Sequence, residues 1–291
     1  MKSPNLNTEV NQSLMRKALS QSEFKKLSSF ITSNYGIKLP DHKKVMVEGR
    51  LQKRLKELNL NTFAEYIDMV LCDEETDEVV KMINAVSTNK TDFFRESAHF
   101  DFMNLRVLPE LFAEKRSTEI KIWSSAASTG EEIYTIAIVM EEYMKKHGLS
   151  HRNYTVSGTD ISVDALRTAI DGVYNNSRII NLPQQMKKDY FLRSKDPKKP
   201  LVRVKPELRA KTKFGRLNLM DEDYKMEDSY DIIFCRNVLI YFDRPNQEKV
   251  IARLVKKLRP GGYLFVGHSE SLFRNHDDLK LIKPTIYQKS L

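Results

Sequence analysis

The chain has 291 residues, 41% hydrophobic and 30% charged, with a formal net charge of +9 and two cysteines. That length suits one large or two modest domains with a real core. No apolar run approaches about 18 residues, the opening MKSPNLNTEV lacks a signal-like apolar stretch, and Cys72 and Cys235 are too few for a disulfide scaffold, so the expected compartment is the reducing cytoplasm.

Residues 1–20 are polar and expected to fray. Ser22 is placed to cap a helix with Phe24, Leu27 and Ile31 on one face, ending near Gly36. Asp41 is placed to cap a second, 42–58, in which Val47, Leu51, Leu55 and Leu58 recur at helical spacing. Lys43, Arg50, Lys53 and Arg54 fall on another face of it; solvation is the plain explanation and an acidic partner the functional one. Thr62 and Glu65 form a capping-box pattern before Phe63, Ile67 and Val70, and a fourth helix covers 76–86, beyond the acidic run 73–78. Residues 20–86 therefore read as an all-helical domain.

Residues 87–118 form a linker with a connecting helix. Within it, Asn89-Lys90-Thr91-Asp92-Phe93-Phe94-Arg95-Glu96 pairs two aromatics with an Arg, a combination suited to a lid. An Arg95 ion pair that merely fastens the linker is the structural alternative. From residue 119 strands and helices alternate: strands at about 119–125, 153–159, 213–218, 230–236 and 261–267, helices at 130–146, 162–170 and 245–258, and two closing strands in 278–289. Near-continuous apolar strands in that rhythm predict a mostly parallel sheet covered on both faces. Residues 187–212 break the rhythm; Tyr190-Phe191-Leu192 and Leu201–Val204 around Asp196-Pro197 predict an inserted antiparallel hairpin. Basic charge is uneven: residues 38–56 hold seven Lys/Arg against two acids, and 187–216 hold twelve against three.

The chemistry concentrates at strand ends. IWSSAASTGEEIYTIA at 122–137 runs from strand through a small-residue turn into a helix, whose free N–H groups and partial positive charge suit a ligand. Gly130 allows close approach to that backbone. Glu131 and Glu132 lie in the first helical turn, where dipole complementation would explain them equally. Asp160 ends the next strand, where a ribose-binding acid belongs, or else caps the helix after it. One glycine where a pyrophosphate cradle has three fits a ligand with a ribose and no pyrophosphate, such as S-adenosylmethionine. Asn218-Leu219 falls on the same sheet edge, where an amide could read adenine or simply form a turn. Arg236 and Asn237 end the most apolar strand and must be paired or wet. Tyr241 follows, either at the site or packed with its hydroxyl at the rim. His268 reads as structural, and no His/Cys cluster has metal-ligand spacing along the chain, so no metal is expected.

Together, Asn89-x-Thr91-x-Phe93-Phe94-Arg95-Glu96, Ala127–Glu132 with Tyr134, Asp160-Ile161, Asn218-Leu219, Phe234–Phe242 and Gly267-His268-Ser269-Glu270 resemble the bacterial chemotaxis receptor glutamate O-methyltransferases, the CheR family, over about residues 20–289. The resemblance implies a class I S-adenosylmethionine-dependent methyltransferase domain (α/β, Rossmann-like, mostly parallel sheet, residues 119–291) with an N-terminal helical bundle and a small inserted antiparallel β-subdomain. By matching position, Asn89, Thr91, Arg95, Glu132, Asp160, Asn218, Leu219, Arg236 and Asn237 form the S-adenosylmethionine shell, and Arg95 and Tyr241 lie nearest the transferred methyl group. The implied product is a glutamate 5-O-methyl ester on receptor helices, with S-adenosylhomocysteine released. Lys43, Arg50, Lys53 and Arg54 would attract those acidic helices at membrane receptor arrays, and nothing demands more than a monomer. In some members the β-subdomain docks a peptide at the receptor's C terminus. Here its loop Ser194–Pro200 has no glycine, and Ile133 stands where the family often has proline. Two other readings share the donor fold: a nucleic-acid methyltransferase, disfavoured because Asn237-Val238-Leu239-Ile240 replaces the usual Asn/Asp-Pro-Pro-aromatic string, and a non-catalytic donor-binding module, disfavoured by Arg95 and Tyr241.

Overall fold

The structure, a computed structural model, describes residues 18–72, 77–114, 119–227, 229–270 and 278–291. The stretch expected to fray lies outside the described residues up to residue 17, as does 73–76 of the acidic run. The chain divides into two compact units between Ser87 and Thr88.

The first unit is helical: α1 (Gln21–Tyr35), a 3-10 turn (Asp41–Lys43), α2 (Lys44–Glu57), α3 (Phe63–Cys72) and α4 (Asp77–Val86). Ser20, not Ser22, caps α1, in a reciprocal box with Glu23, two residues earlier than the apolar pattern suggests. Gly36 closes it at φ 68°. Asp41 does not cap α2: it opens the 3-10 turn and accepts from Gln21 Nε2 at 3.0 Å. The Thr62–Glu65 box forms as expected, in both directions. Val47, Leu51 and Leu55 of α2 are buried, as are Tyr66, Ile67 and Val70 of α3 and Val79, Met82 and Ile83 of α4.

The second unit starts with α5 (Ala98–Phe102), a π turn (Met103–Val107) and α6 (Leu108–Ala113). It continues with β1 (Glu119–Ser124), α7 (Glu131–Lys146), β2 (Asn153–Asp160), α8 (Val163–Asp171), β3 (Val173–Asn175), α9 (Gln184–Tyr190), β4 (Phe191–Arg193), β5 (Leu201–Val204), α10 (Pro206–Arg209) and β6 (Thr212–Arg216). Last come β7 (Tyr230–Cys235), α11 (Arg244–Lys257), β8 (Leu258–Val266), β9 (Leu279–Lys283) and β10 (Ile286–Lys289). The main sheet has the order β6-β2-β1-β7-β8-β10-β9, parallel from β6 to β8, with β10 antiparallel to both its neighbours. The order reverses between β1 and β7, the kind of switch point where open α/β sheets bind ligands.

Every residue of β7 is buried, as a central strand covered on both faces requires. On one face Phe234 stacks on Phe265 (4.6 Å, 11°) within a core that takes in α7 and the inserted sheet. On the other, Trp123 and Ile233 pack with Val250, Ile251 and Leu254 of α11. Burying each such side chain stabilises by about 1.5–3 kcal/mol. The insertion is a three-stranded sheet, β3-β5-β4, not a hairpin alone. It begins at Val173 rather than 187, because the segment directly after α8 pairs with β5 (Tyr174 opposite Val202). Thr212, expected inside the insertion, pairs in the main sheet opposite Val156.

Candidate active site

Three loops meet at the carboxyl ends of β1, β2 and β7. The turn after β1 is pinned at two points: Ser125 N donates to Phe234 O (2.8 Å) and Ala127 N to Thr159 O (2.8 Å). Its Ser128 N donates to Asp160 Oδ2 (2.8 Å), while Asp160 Oδ1 accepts from Ser162 N (2.9 Å). Burial pushes the Asp160 carboxyl up against these stabilising amides. Asp160 does not cap α8; Ser162 does, accepting from Ala165 N. Gly130, expected to admit a ligand to the backbone, has a different job. Its φ of 95° and a would-be Cβ only 2.8 Å from Ala169 Cβ and 3.0 Å from the Tyr174 hydroxyl make it a packing glycine. Gly130→Ala is therefore expected to destabilise by about 1–3 kcal/mol in urea unfolding; an unchanged midpoint would contradict the packing role.

The end of β7 carries the densest charge. Arg236, its side chain 1% exposed, pairs with Glu132 Oε2 (3.1 Å) and Glu96 Oε2 (3.1 Å). It also donates to the Arg95 carbonyl and lies over the Phe100 ring. Its Nε is buried without a hydrogen-bond partner among the described residues. Glu132 Oε1 accepts from Ser124 Oγ (2.8 Å), so one carboxylate ties α7 to β1 and β7. Burial raises the Glu132 pKa despite Arg236. At Glu96 burial acts in the same direction, but the Asn237 amide and Arg236 outweigh it and hold the carboxyl below its usual range.

Asn237 stands at φ 57° and donates from Nδ2 to Glu96 Oε1 (3.0 Å). Glu270 is buried beneath this turn. Its Oε2 accepts from Asn237 N (2.8 Å) and Gly267 N (2.7 Å), and its Oε1 from Ile240 N (3.2 Å). A Cβ on Gly267 would lie 2.8 Å from the Asn237 backbone nitrogen and 2.6 Å from Glu270 Oε2, so glycine is required there. The 3-10 turn Leu239–Tyr241 follows, presenting Tyr241 half-buried.

The loop before α5 completes the set. Arg95 is half-buried and donates to the Lys90 carbonyl (2.9 Å). Asn89 Nδ2 reaches Ser162 Oγ (3.4 Å), and its carbonyl accepts from Ser128 Oγ (3.2 Å). Buried Thr91 gives its carbonyl to Arg178, which also pairs with Glu131. Leu217 N donates to Asp160 O (3.1 Å), which sets Asn218 and buried Leu219 beside β2. Asn218 Oδ1 accepts from Met220 N (3.0 Å), the turn-forming alternative. Of the seven non-glycine residues with positive φ among the described residues, Phe94, Glu96, Ser128 and Asn237 lie on these loops, a concentration of strain typical of functional sites.

Residues 89–288 match the model of the CheR methyltransferase, SAM binding domain, and residues 22–87 that of the CheR methyltransferase, all-alpha domain. The chain belongs to the CheR methyltransferase family. It is 37% identical to the chemotaxis protein methyltransferase of Borreliella burgdorferi, covering 98% of this chain and 100% of that one. With the Salmonella typhimurium chemotaxis protein methyltransferase it shares 39% identity over 96% and 94% of the two chains. The class I S-adenosylmethionine-dependent fold of CheR proteins accounts for the mostly parallel seven-stranded sheet. No helix among the described residues is long and apolar enough to cross a membrane.

Sequence reasoning did not assign Glu96, Glu270, Ser124 or Arg178. Glu96 and Glu270 stand inside the family motifs, and acids that close motifs on the sheet edge of an Arg-Asn pair are the signal that could have found them. The basic face of α2 divides. Arg50 NH1 donates to the carbonyls of Ala85, Val86 and Ser87 (2.9–3.2 Å), and Arg54 forks onto buried Glu78 (2.6 and 2.8 Å), which also accepts from Tyr66. Both tie α2 to α4. Lys53 is 82% exposed and only loosely paired with Glu57 (3.8 Å).

Proposed function

We propose that this chain transfers a methyl group from S-adenosylmethionine to glutamate side chains of chemotaxis receptors, giving glutamate 5-O-methyl esters. The carrying observation is the charged cluster at the end of β7, where Glu132, Glu96 and Asn237 converge on or beside Arg236. The residues fit the donor. An ionised carboxylate offers about four lone-pair sites; the backbone amides of Ser128, Ser162 and Ile161 take up to three of them at Asp160, which leaves room for a ribose hydroxyl. The leftover Arg236 Nε–H is a further donor for a ligand acceptor. When bound, S-adenosylmethionine supplies an electrophilic methyl on a cationic sulfur.

The protein's part is orientation and exclusion of water. A glutamate with a pKa of about 4.3 is already over about 99% ionised at pH 7, so no general base is required. Aligning the reactants can supply about 7–11 kcal/mol. Arg95 orients the acceptor carboxylate without clamping it, since a tight bidentate pair would blunt its nucleophilicity. Tyr241 adds a weak hydrogen bond. Because attack merges an anion and a cation, a dry site favours it.

Radiolabelled donor offered with receptor membranes, with tRNA or DNA, or alone separates the readings. Base-labile label on receptors supports this one; label on nucleic acid, or on nothing, overturns it. The receptor arrays of the membrane are then the place of work, a receptor C-terminal peptide at the inserted sheet a second contact, and the monomer the working form. Lys43 and Lys53 steer acidic receptor helices, whereas Arg50 and Arg54 serve the fold. The double variant Lys43→Glu/Lys53→Glu is expected to slow transfer severalfold at low salt, less at high salt, with donor affinity unchanged. Equal loss of donor binding in calorimetry would contradict steering.

A further inference from the structure

Two histidines at the edge of the crevice are left unused by methyl transfer. Glu96, on the loop before α5, His99, on α5, and His268, after β8, each offer a ligand atom, and these atoms lie within 4.8 Å of one another. Glu96 Oε2 is 3.6 Å from His99 Nδ1 and 4.0 Å from His268 Nε2. The two imidazoles meet edge to face at 5.0 Å between centroids.

The protonation of His99 follows from its neighbours. Thr285 Oγ1 donates its proton to the Pro284 carbonyl (2.5 Å). The arrangement that satisfies both contacts has Oγ1 accept from His99 Nε2 (2.8 Å), with the imidazole proton assigned to Nε2. Nδ1 is then a bare lone pair. The His99 side chain is 2% exposed, and its Nδ1 has no hydrogen-bond partner among the described residues and faces a carboxylate oxygen that is itself an acceptor. Two acceptors, one buried and one half-buried, opposed without a donor between them are unfavourable. A cation bound by both removes that conflict, and Nε2–H on Thr285 is the outer hydrogen bond that metal-bound histidines ordinarily make.

We infer that Glu96, His99 and His268 form a binding site for a divalent transition-metal ion of the zinc class. Two imidazole nitrogens and one carboxylate suit zinc and its neighbours and not magnesium or calcium, which prefer oxygen. Tetrahedral bonds of about 2.0–2.2 Å set donor atoms about 3.3–3.6 Å apart, so the three, which lie within 4.8 Å of one another, draw together by up to about 1.5 Å on binding. His268 lies on the solvent side and leaves a fourth position open. The opposing element is Arg236, 3.1 Å from the same Glu96 oxygen. Two carboxyl groups, Glu96 and Glu132, pair with that single guanidinium, which lessens the repulsion it imposes on an incoming cation. Glu96 also holds Arg236 and Asn237 in place, so metal occupancy draws on a carboxylate of the donor shell. Zinc and S-adenosylmethionine should oppose each other.

The test uses the full chain, with Zn(II) by calorimetry and Co(II) by visible absorption. One equivalent of Co(II) is expected to give the intense d–d bands of a low-coordinate site. His268→Ala, an exposed position whose unchanged thermal midpoint certifies folding, is expected to weaken binding at least about tenfold. Saturating zinc is expected to weaken donor binding to the same relative extent as the donor weakens zinc. Absence of binding up to millimolar metal, affinity unchanged in His268→Ala, or nitrogen NMR placing the His99 proton on Nδ1 would each overturn the assignment.

Discussion

Arg236→Ala is expected to abolish donor binding and to destabilise the methyltransferase domain by about 3–5 kcal/mol, the usual cost of removing one partner from a buried ion pair. Arg236 is the shared counter-charge for Glu96 and Glu132, and it also donates to the Arg95 carbonyl. Removing it leaves two half-buried or buried carboxylates facing each other, and it frees the loop that carries Arg95. Arg236→Lys keeps the charge but cannot reach three acceptors as a fork does. It is expected to retain most of the stability and little of the donor affinity. Urea unfolding and calorimetry check both. If Arg236→Ala unfolds at the wild-type midpoint, the cluster is not a buried ion pair; if it binds donor normally, Arg236 is not part of the shell.

Arg95→Ala should lower the methylation rate at saturating donor by about 100-fold, the scale of loss when reactants are misplaced by about an ångström. Tyr241→Phe removes a weak hydrogen bond to the acceptor, worth about 0.5–1.5 kcal/mol, and should slow the same step by about 2- to 10-fold. Neither side chain is a fully buried core group, so both variants should fold. Single-turnover transfer to receptor membranes is the decisive measurement. Wild-type rates in both would remove these residues from the reaction.

The loops that carry the site were readable as motifs. Their contents were less so, for reasons particular to each residue. Asp160 could be placed at the sheet edge because an acid closing an apolar strand has few other positions. Arg236 and Asn237 stood out because polar groups ending a fully buried strand need partners. The partners themselves, Glu96 and Glu132, are 140 and 104 residues away, and charge composition cannot pair them. Gly130 sits in a turn that suits ligand access, yet it serves packing against Ala169 and Tyr174, because α8 and β3 arrive there only in the fold. Arg50 and Arg54 looked like one basic face with Lys43 and Lys53. Helical spacing gives a direction around an axis, not the identity of the neighbour, and the neighbour is α4.

Local chemistry was determined by the sequence alone: alternating elements, the strand-turn-helix before Glu132, the Thr62–Glu65 box and the motif set of the CheR family, since each depends on residues within about one or two turns of chain. Tertiary structure alone decided which distant charges meet. It joined β3 to the inserted sheet, set Glu270 under the Asn237 turn, and brought His268 to Glu96 and His99 from 172 and 169 residues away. Such convergence follows from strand order and loop closure, which a one-dimensional pattern does not encode.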